Sequence, residues 1–163
     1  MDISFSIQNQ KGDQVMVALS CYDYETIELF SSDILTLTLV FYDVTLVRMT
    51  GENFVDYKIL FAVSDILAKF MEENDNAVLC FYCDADTDVP RNHTKMSPQE
   101  YRSNLFSRMF EMYVRSKSLK HFVNHRIEIE NTENPTNTQF AHFICRTEHK
   151  EAVINLGKQL MHK

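Results

Sequence analysis

Apolar and polar residues alternate along this chain with two different periods, and the switches between them lay out the fold. Ile3, Phe5 and Ile7 alternate with Ser4 and Ser6, a Lys11-Gly12-Asp13 turn follows, and Val15, Val17 and Leu19 resume the alternation, which predicts a hairpin. Residues 21–30 carry a weaker alternation and read as strand. Residues 35–41 alternate Leu35, Leu37, Leu39 and Phe41 with Thr36, Thr38 and Val40, and residues 44–48 continue the sheet to a stop at Thr50-Gly51.

From Asp56 the period becomes helical. Ile59, Leu60, Val63, Ile66, Leu67, Phe70 and Met71 fall in one sector, with Lys58, Asp65, Lys69, Glu72 and Glu73 opposite. Asp56 is placed to cap this helix, and Asn74 to end it in a left-handed conformation. Residues 77–82 contain no polar residue to send to water, so they predict a central strand covered on both faces. Ser97, Pro98 and Glu100 then spell a capping box with proline in the first turn. Wound at the helical period, Tyr101, Leu105, Phe106, Met109, Met112 and Tyr113 share a sector of about 140°. Residues 122–130 and 138–145 alternate again across the turn residues 134–137. Thr147 is placed to cap a last helix carrying Val153, Leu156 and Leu160. The order predicts a single α+β domain over residues 1–163: a mostly antiparallel mixed sheet with three helices packed largely on one side.

Composition narrows the class. A hydrophobic content of 45% in 163 residues supports a globular core without staples, and Cys21, Cys80, Cys83 and Cys145 are too few and too dispersed for a disulfide scaffold. Neither a bilayer-spanning run nor a basic-then-apolar leader is present, so the expectation is a cytoplasmic protein with no membrane partner. A net charge of −7 argues against general nucleic-acid binding. The charge is uneven: residues 1–83 carry four Lys/Arg and thirteen Asp/Glu, net −9, whereas residues 91–126 carry eight and two, net +6. The two regions are expected to pair within the fold, and unpaired portions would recognise a partner.

Chemistry is sparse. Asp84, Asp86 and Asp88 follow the apolar strand and could converge on a divalent cation, the one cofactor the sequence leaves room for. A calcium loop would instead need Gly and Glu where Val89 and Lys95 stand. Arg102 falls inside the apolar sector of its helix, where a guanidinium needs a carboxylate, and those same aspartates are its nearest candidates. The functional counterpart is that Arg102, with Arg91, Arg108 and Arg126, receives an anionic ligand. His121, His125, His142 and His149 form a second candidate cluster, and Cys145 with His142 a candidate pair. The Cys80 and Cys83 spacing points the two thiols to opposite faces of a strand.

The pattern from Asp56 onward resembles an uncharacterised, mostly Bacteroidota domain-of-unknown-function family. It is carried by Asp56, Ile59, Ile66 and Phe70, the strand into Tyr82-Cys83-Asp84, and Asp86, Arg102, Leu105 and Phe106. It covers about residues 56–113, with a looser similarity in the final hairpin and helix. That family's second helix tends to carry Trp where this chain has Phe110 or Tyr113. The resemblance implies a small bacterial cytosolic protein and brings no assigned activity, cofactor or catalytic residue. The reading of the residues leans away from an enzyme, toward a protein-binding or self-associating accessory module of the antitoxin, immunity or defence kind. The alternatives are a metal-dependent phosphate-ester hydrolase built on Asp84, Asp86 and Asp88, and a sensor of small anions.

Overall fold

A computed structural model describes residues 2–8, 12, 14–22, 38–50, 57–83, 96–134 and 137–161. Its strands are β1 (Ile3–Gln8), β2 (Gln14–Cys21), β3 (Val40–Thr50), β4 (Ala77–Cys83), β5 (Phe122–Ile129) and β6 (Gln139–Arg146). Its long helices are α1 (Tyr57–Glu73), α2 (Pro98–Ser116) and α3 (Lys150–Met161), the last entered through a 3-10 turn over Thr147–His149. The strands form one sheet in the order β1-β2-β3-β4-β6-β5. Only β3 and β4 run parallel, and α1 is the crossover that parallel neighbours require. The architecture is therefore α+β with a mostly antiparallel mixed sheet.

Alternation sorts the side chains onto two cores. On one face Val15, Val17, Leu19, Val44, Leu79, Phe81, Phe122 and Ile144 meet α1 through Ile59, Val63, Leu67, Phe70 and Met71, and α2 through Phe106 and Phe110. On the other face Phe41, Val78, Cys80, Ile127, Phe143 and Cys145 meet α3 through Ala152, Val153 and Leu156. Two helices thus share one side and the last takes the other. Gly157 lets α3 lie close to β5, since a side chain there would run into Ile127. Central β4 contributes to both cores, as an uninterrupted apolar run does when it is covered twice.

Four local expectations change. The third strand begins at Val40 rather than Leu35, because Thr38 is helical; residues 23–37 lie outside the described set. Among the described residues the only positive φ outside glycine belongs to Ser118. Asn74 therefore ends α1 with its side-chain amide, which donates to the Phe70 carbonyl at 2.8 Å. Thr147 does not cap α3: its hydroxyl turns back to donate to the Lys120 carbonyl at 3.4 Å, and the 3-10 turn leads into the helix instead. Ser97 does cap α2, accepting from the Glu100 amide at 3.2 Å, while Asp56 lies outside the described residues.

The fourth change concerns the face that α2 buries. Its buried residues are Gln99, Ser103, Met109 and Tyr113, with Phe106 and Phe110 packed against the core, whereas Leu105 and Met112 are exposed. The helix is rotated by roughly 70° from the sector defined by Tyr101, Leu105, Phe106, Met109, Met112 and Tyr113. Hydrogen bonds explain the rotation. They make Gln99 and Ser103 acceptable inside, and the apolar residues left over then point outward.

Candidate functional site

The rotation of α2 brings together a group of polar residues between the helix and the sheet. Ser103 stands on the inner seam of α2, His142 on the facing side of β6, and Asn124 and Arg126 beside it on edge strand β5, with Arg126 directly across from His142 in the ladder. The Ser103 hydroxyl donates to His142 Nε2 at 2.7 Å, and Arg126 Nε donates to Ser103 Oγ at 2.7 Å. His142 Nδ1 lies 3.2 Å from Asn124 Oδ1. These partners assign the tautomer: Nδ1 carries the proton and donates to the amide oxygen, leaving Nε2 to accept. One direction of donation then runs from Arg126 through Ser103 and His142 to Asn124.

The surroundings are apolar. Phe106 packs edge-on to the imidazole, with ring centroids 4.8 Å apart, and the Arg126 guanidinium lies 4.5 Å over the Phe140 ring. Burial first, and the neighbouring guanidinium second, push the His142 pKa down to about 4, so the ring is neutral at physiological pH. Next along the helix, Gln99 donates to the Thr138 carbonyl at 2.9 Å and fastens the start of α2 to the entry of β6.

The order serine, histidine, amide is that of a nucleophile held against its base, but the surroundings oppose that chemistry. Ser103 and His142 are both 0% exposed, so no substrate reaches the hydroxyl as it is placed. Arg126 occupies a lone pair of the oxygen that would attack, and an imidazole with a pKa near 4 is a weak base at neutral pH. Two shallow depressions of about 200 and about 300 Å³ lie elsewhere, at residues 74–77 beside Val40 and Tyr42 and around the turn between β5 and β6. The relay is built to satisfy buried groups and to fix how α2 sits on the sheet.

Of the residues singled out in sequence, Asp84, Asp86, Asp88 and Arg91 lie outside the described residues. Arg102, Arg108 and Arg126 do not converge. Arg102 is half-buried on α2, and Arg108, six residues on, is exposed and roughly 120° away around the helix. Arg126 is drawn to Ser103. The histidines scatter as well. His142 faces the side of α2, His125 the side of α3, His121 bonds Glu72 at 2.5 Å, and His149 bonds the Asp75 carbonyl at 3.2 Å. Cys145 and His142 differ in strand parity and sit on opposite faces, so they make no pair. Cys80 is buried beside Asp43 and Cys145, which pushes its thiol well up and leaves it inert at neutral pH. Among the described residues no three His, Cys, Asp or Glu come together as a metal site.

The acidic half of the chain is partly spent inside the fold. Asp65 accepts from the Tyr113 hydroxyl at 2.7 Å and meets Lys117 at 3.9 Å. Glu72 and Asp75 meet Arg146, which also donates to the Met71 and Glu72 carbonyls at the end of α1, where a cation opposes the helix dipole. The basic segment is less matched. Arg108 and Arg115 are exposed on the outer side of α2 and meet no carboxylate among the described residues. They flank Leu105, 37% exposed, and Met112, 45% exposed, while Tyr101 extends the same stripe one turn earlier.

No protein-family model matches the chain, and no match was found among curated proteins. No helix is long and apolar enough to cross a membrane among the described residues.

Proposed function

We propose that the chain is a non-enzymatic protein-binding module, and that the outer side of α2 is its docking face. The observation that carries this reading is the exposure of Leu105 and Met112 on a helix that buries Gln99 and Ser103 in their place. Apolar residues pointing outward in a row, interleaved with arginine, have the composition of interface cores, where methionine, aromatic residues and arginine are enriched. Turning them inward would strand the polar seam, so water or a partner must cover them.

The charges narrow the partner. Arg108 and Arg115 line the stripe, and exposed Lys120 follows the helix. An acidic protein surface bearing one or two apolar side chains fits this face, with the charges setting approach and register and the apolar contacts supplying most of the hold.

A photo-crosslinking residue in place of Met112 tests the assignment, with the same residue in place of Glu73, on the solvent side of α1, as the control. The expected result is one acidic partner captured at position 112, lost when Arg108→Glu and Arg115→Glu are added, and absent from the control. Equal capture at both positions, or none at position 112, overturns the reading.

A further inference from the structure

At the opposite end of the sheet from α2 and β5, β1 forms an edge and pairs only with β2 among the described residues. Its sequence reads the same in both directions: Ile3, Ser4, Phe5, Ser6 and Ile7 are symmetric about Phe5. Two such strands related by a two-fold axis through Phe5 run antiparallel, with Ile3 opposite Ile7, Ser4 opposite Ser6, and Phe5 opposite its own copy. Paired positions share parity. The half-buried Ile3, Phe5 and Ile7 of both copies therefore stay on the side packed against the α1 core, and the exposed serines stay on the other.

Within its own residues the edge carries none of the usual protection. Residues 3–8 contain no charge and no proline, and the register irregularity in this part of the sheet falls between β2 and β3, not on β1. Edge strand β5 carries Arg126 and Glu128, and Arg126 is already committed to Ser103. Charge suits self-pairing at β1: nothing repels along the ladder, and at each end Asp2 comes opposite Gln8, whose amide can donate to the carboxylate. We infer that β1 pairs edge to edge with β1 of a second copy, which makes one continuous antiparallel sheet from two. This isologous contact is independent of the α2 face.

A six-residue ladder is about 20 Å long and by itself covers well under the ~800 Å² per partner of a standard stable interface, so the dimer is weak and reversible. Sedimentation velocity of the full chain from roughly 5 µM to roughly 500 µM spans the range where such a contact should populate. Wild type should pass from monomer to dimer as concentration rises. The Ser4→Lys/Ser6→Lys variant sets lysine against lysine twice across the axis and should weaken association at least about tenfold. The Ser4→Lys/Ser6→Glu variant sets lysine against glutamate at the same two places and should dimerise within about threefold of wild type. Both positions are exposed, and the one hydrogen bond at stake is that from Gln14 to Ser6, so circular dichroism should find both variants folded. A wild type that stays monomeric throughout overturns the proposal. So does a like-charge variant that dimerises as well as wild type, or a charge-swap variant that fails as badly as the like-charge one.

Discussion

Two helices lie side by side on the same face of the sheet and bury themselves by opposite rules. α1 buries what its pattern offers, Ile59, Val63, Leu67, Phe70 and Met71, and exposes Lys58, Asp65, Lys69, Glu72 and Glu73. α2 buries Gln99 and Ser103 and exposes Leu105 and Met112. The difference teaches that apolar burial orients a helix only until specific hydrogen bonds compete. A seam with Ser103 and Gln99 inside loses some apolar contact but gives both side chains hydrogen-bond partners, and it also frees an apolar stripe for recognition.

That contrast can be broken at its strongest point first. Leu67→Ala on α1 removes a side chain buried in the core and should cost about 3 to 4 kcal/mol of unfolding free energy in urea titrations. A loss below about 1 kcal/mol would mean that α1 is held by something other than its apolar face.

Acid probes the polar seam of α2. His142 is held at about 4 in the folded protein, chiefly by burial and then by Arg126, against roughly 6.5 in the unfolded chain. The folded value is the lower one, so between these limits the unfolded chain binds the proton more readily. The contribution of His142 to stability is therefore complete above about pH 6.5 and shrinks as pH falls toward 4, by a total on the order of 3 kcal/mol. Urea titrations at pH 7 and pH 4.5 should show this decline in wild type and a flatter dependence in His142→Gln. Identical slopes would remove His142 from the account.

Smaller still, Ser103→Ala leaves His142 Nε2 and Arg126 Nε without their shared partner and should cost about 1 to 2 kcal/mol. Last come Leu105→Ser and Met112→Ser on the outer face, which should change stability by no more than about 0.5 kcal/mol each, while Leu105→Ser abolishes capture by the crosslinking residue at position 112. Destabilisation comparable to that of Leu67→Ala would show that the outer stripe is part of the core after all, and the contrast between the helices would vanish.

The legibility of these features follows from how local their causes are. The first hairpin, α1, the doubly covered β4 and the Ser97 cap were all readable, because each rests on residues within one or two turns of one another. The relay was not. Ser103 looks like any helical serine, and the one local hint was that Gln99 and Ser103, four residues apart, continue at the helical spacing of Phe106, Phe110 and Tyr113. Arg126 and His142 drew notice as members of other groupings, an anion-binding set and a histidine cluster. Parity placed Cys80 and Cys83 on opposite faces from sequence alone; the same argument separates His142 from His125 and Cys145 once their strands are located.

What the sequence determined by itself was most of the described elements, the α+β class and the charge asymmetry, since period, turn chemistry and composition act along the chain; the strand expected over residues 21–30 lies almost wholly outside the described residues. The tertiary structure alone decided which side of α2 faces the sheet. That choice depends on a hydroxyl, an imidazole, an amide and a guanidinium drawn from three elements up to 39 residues apart, and no local pattern encodes their meeting.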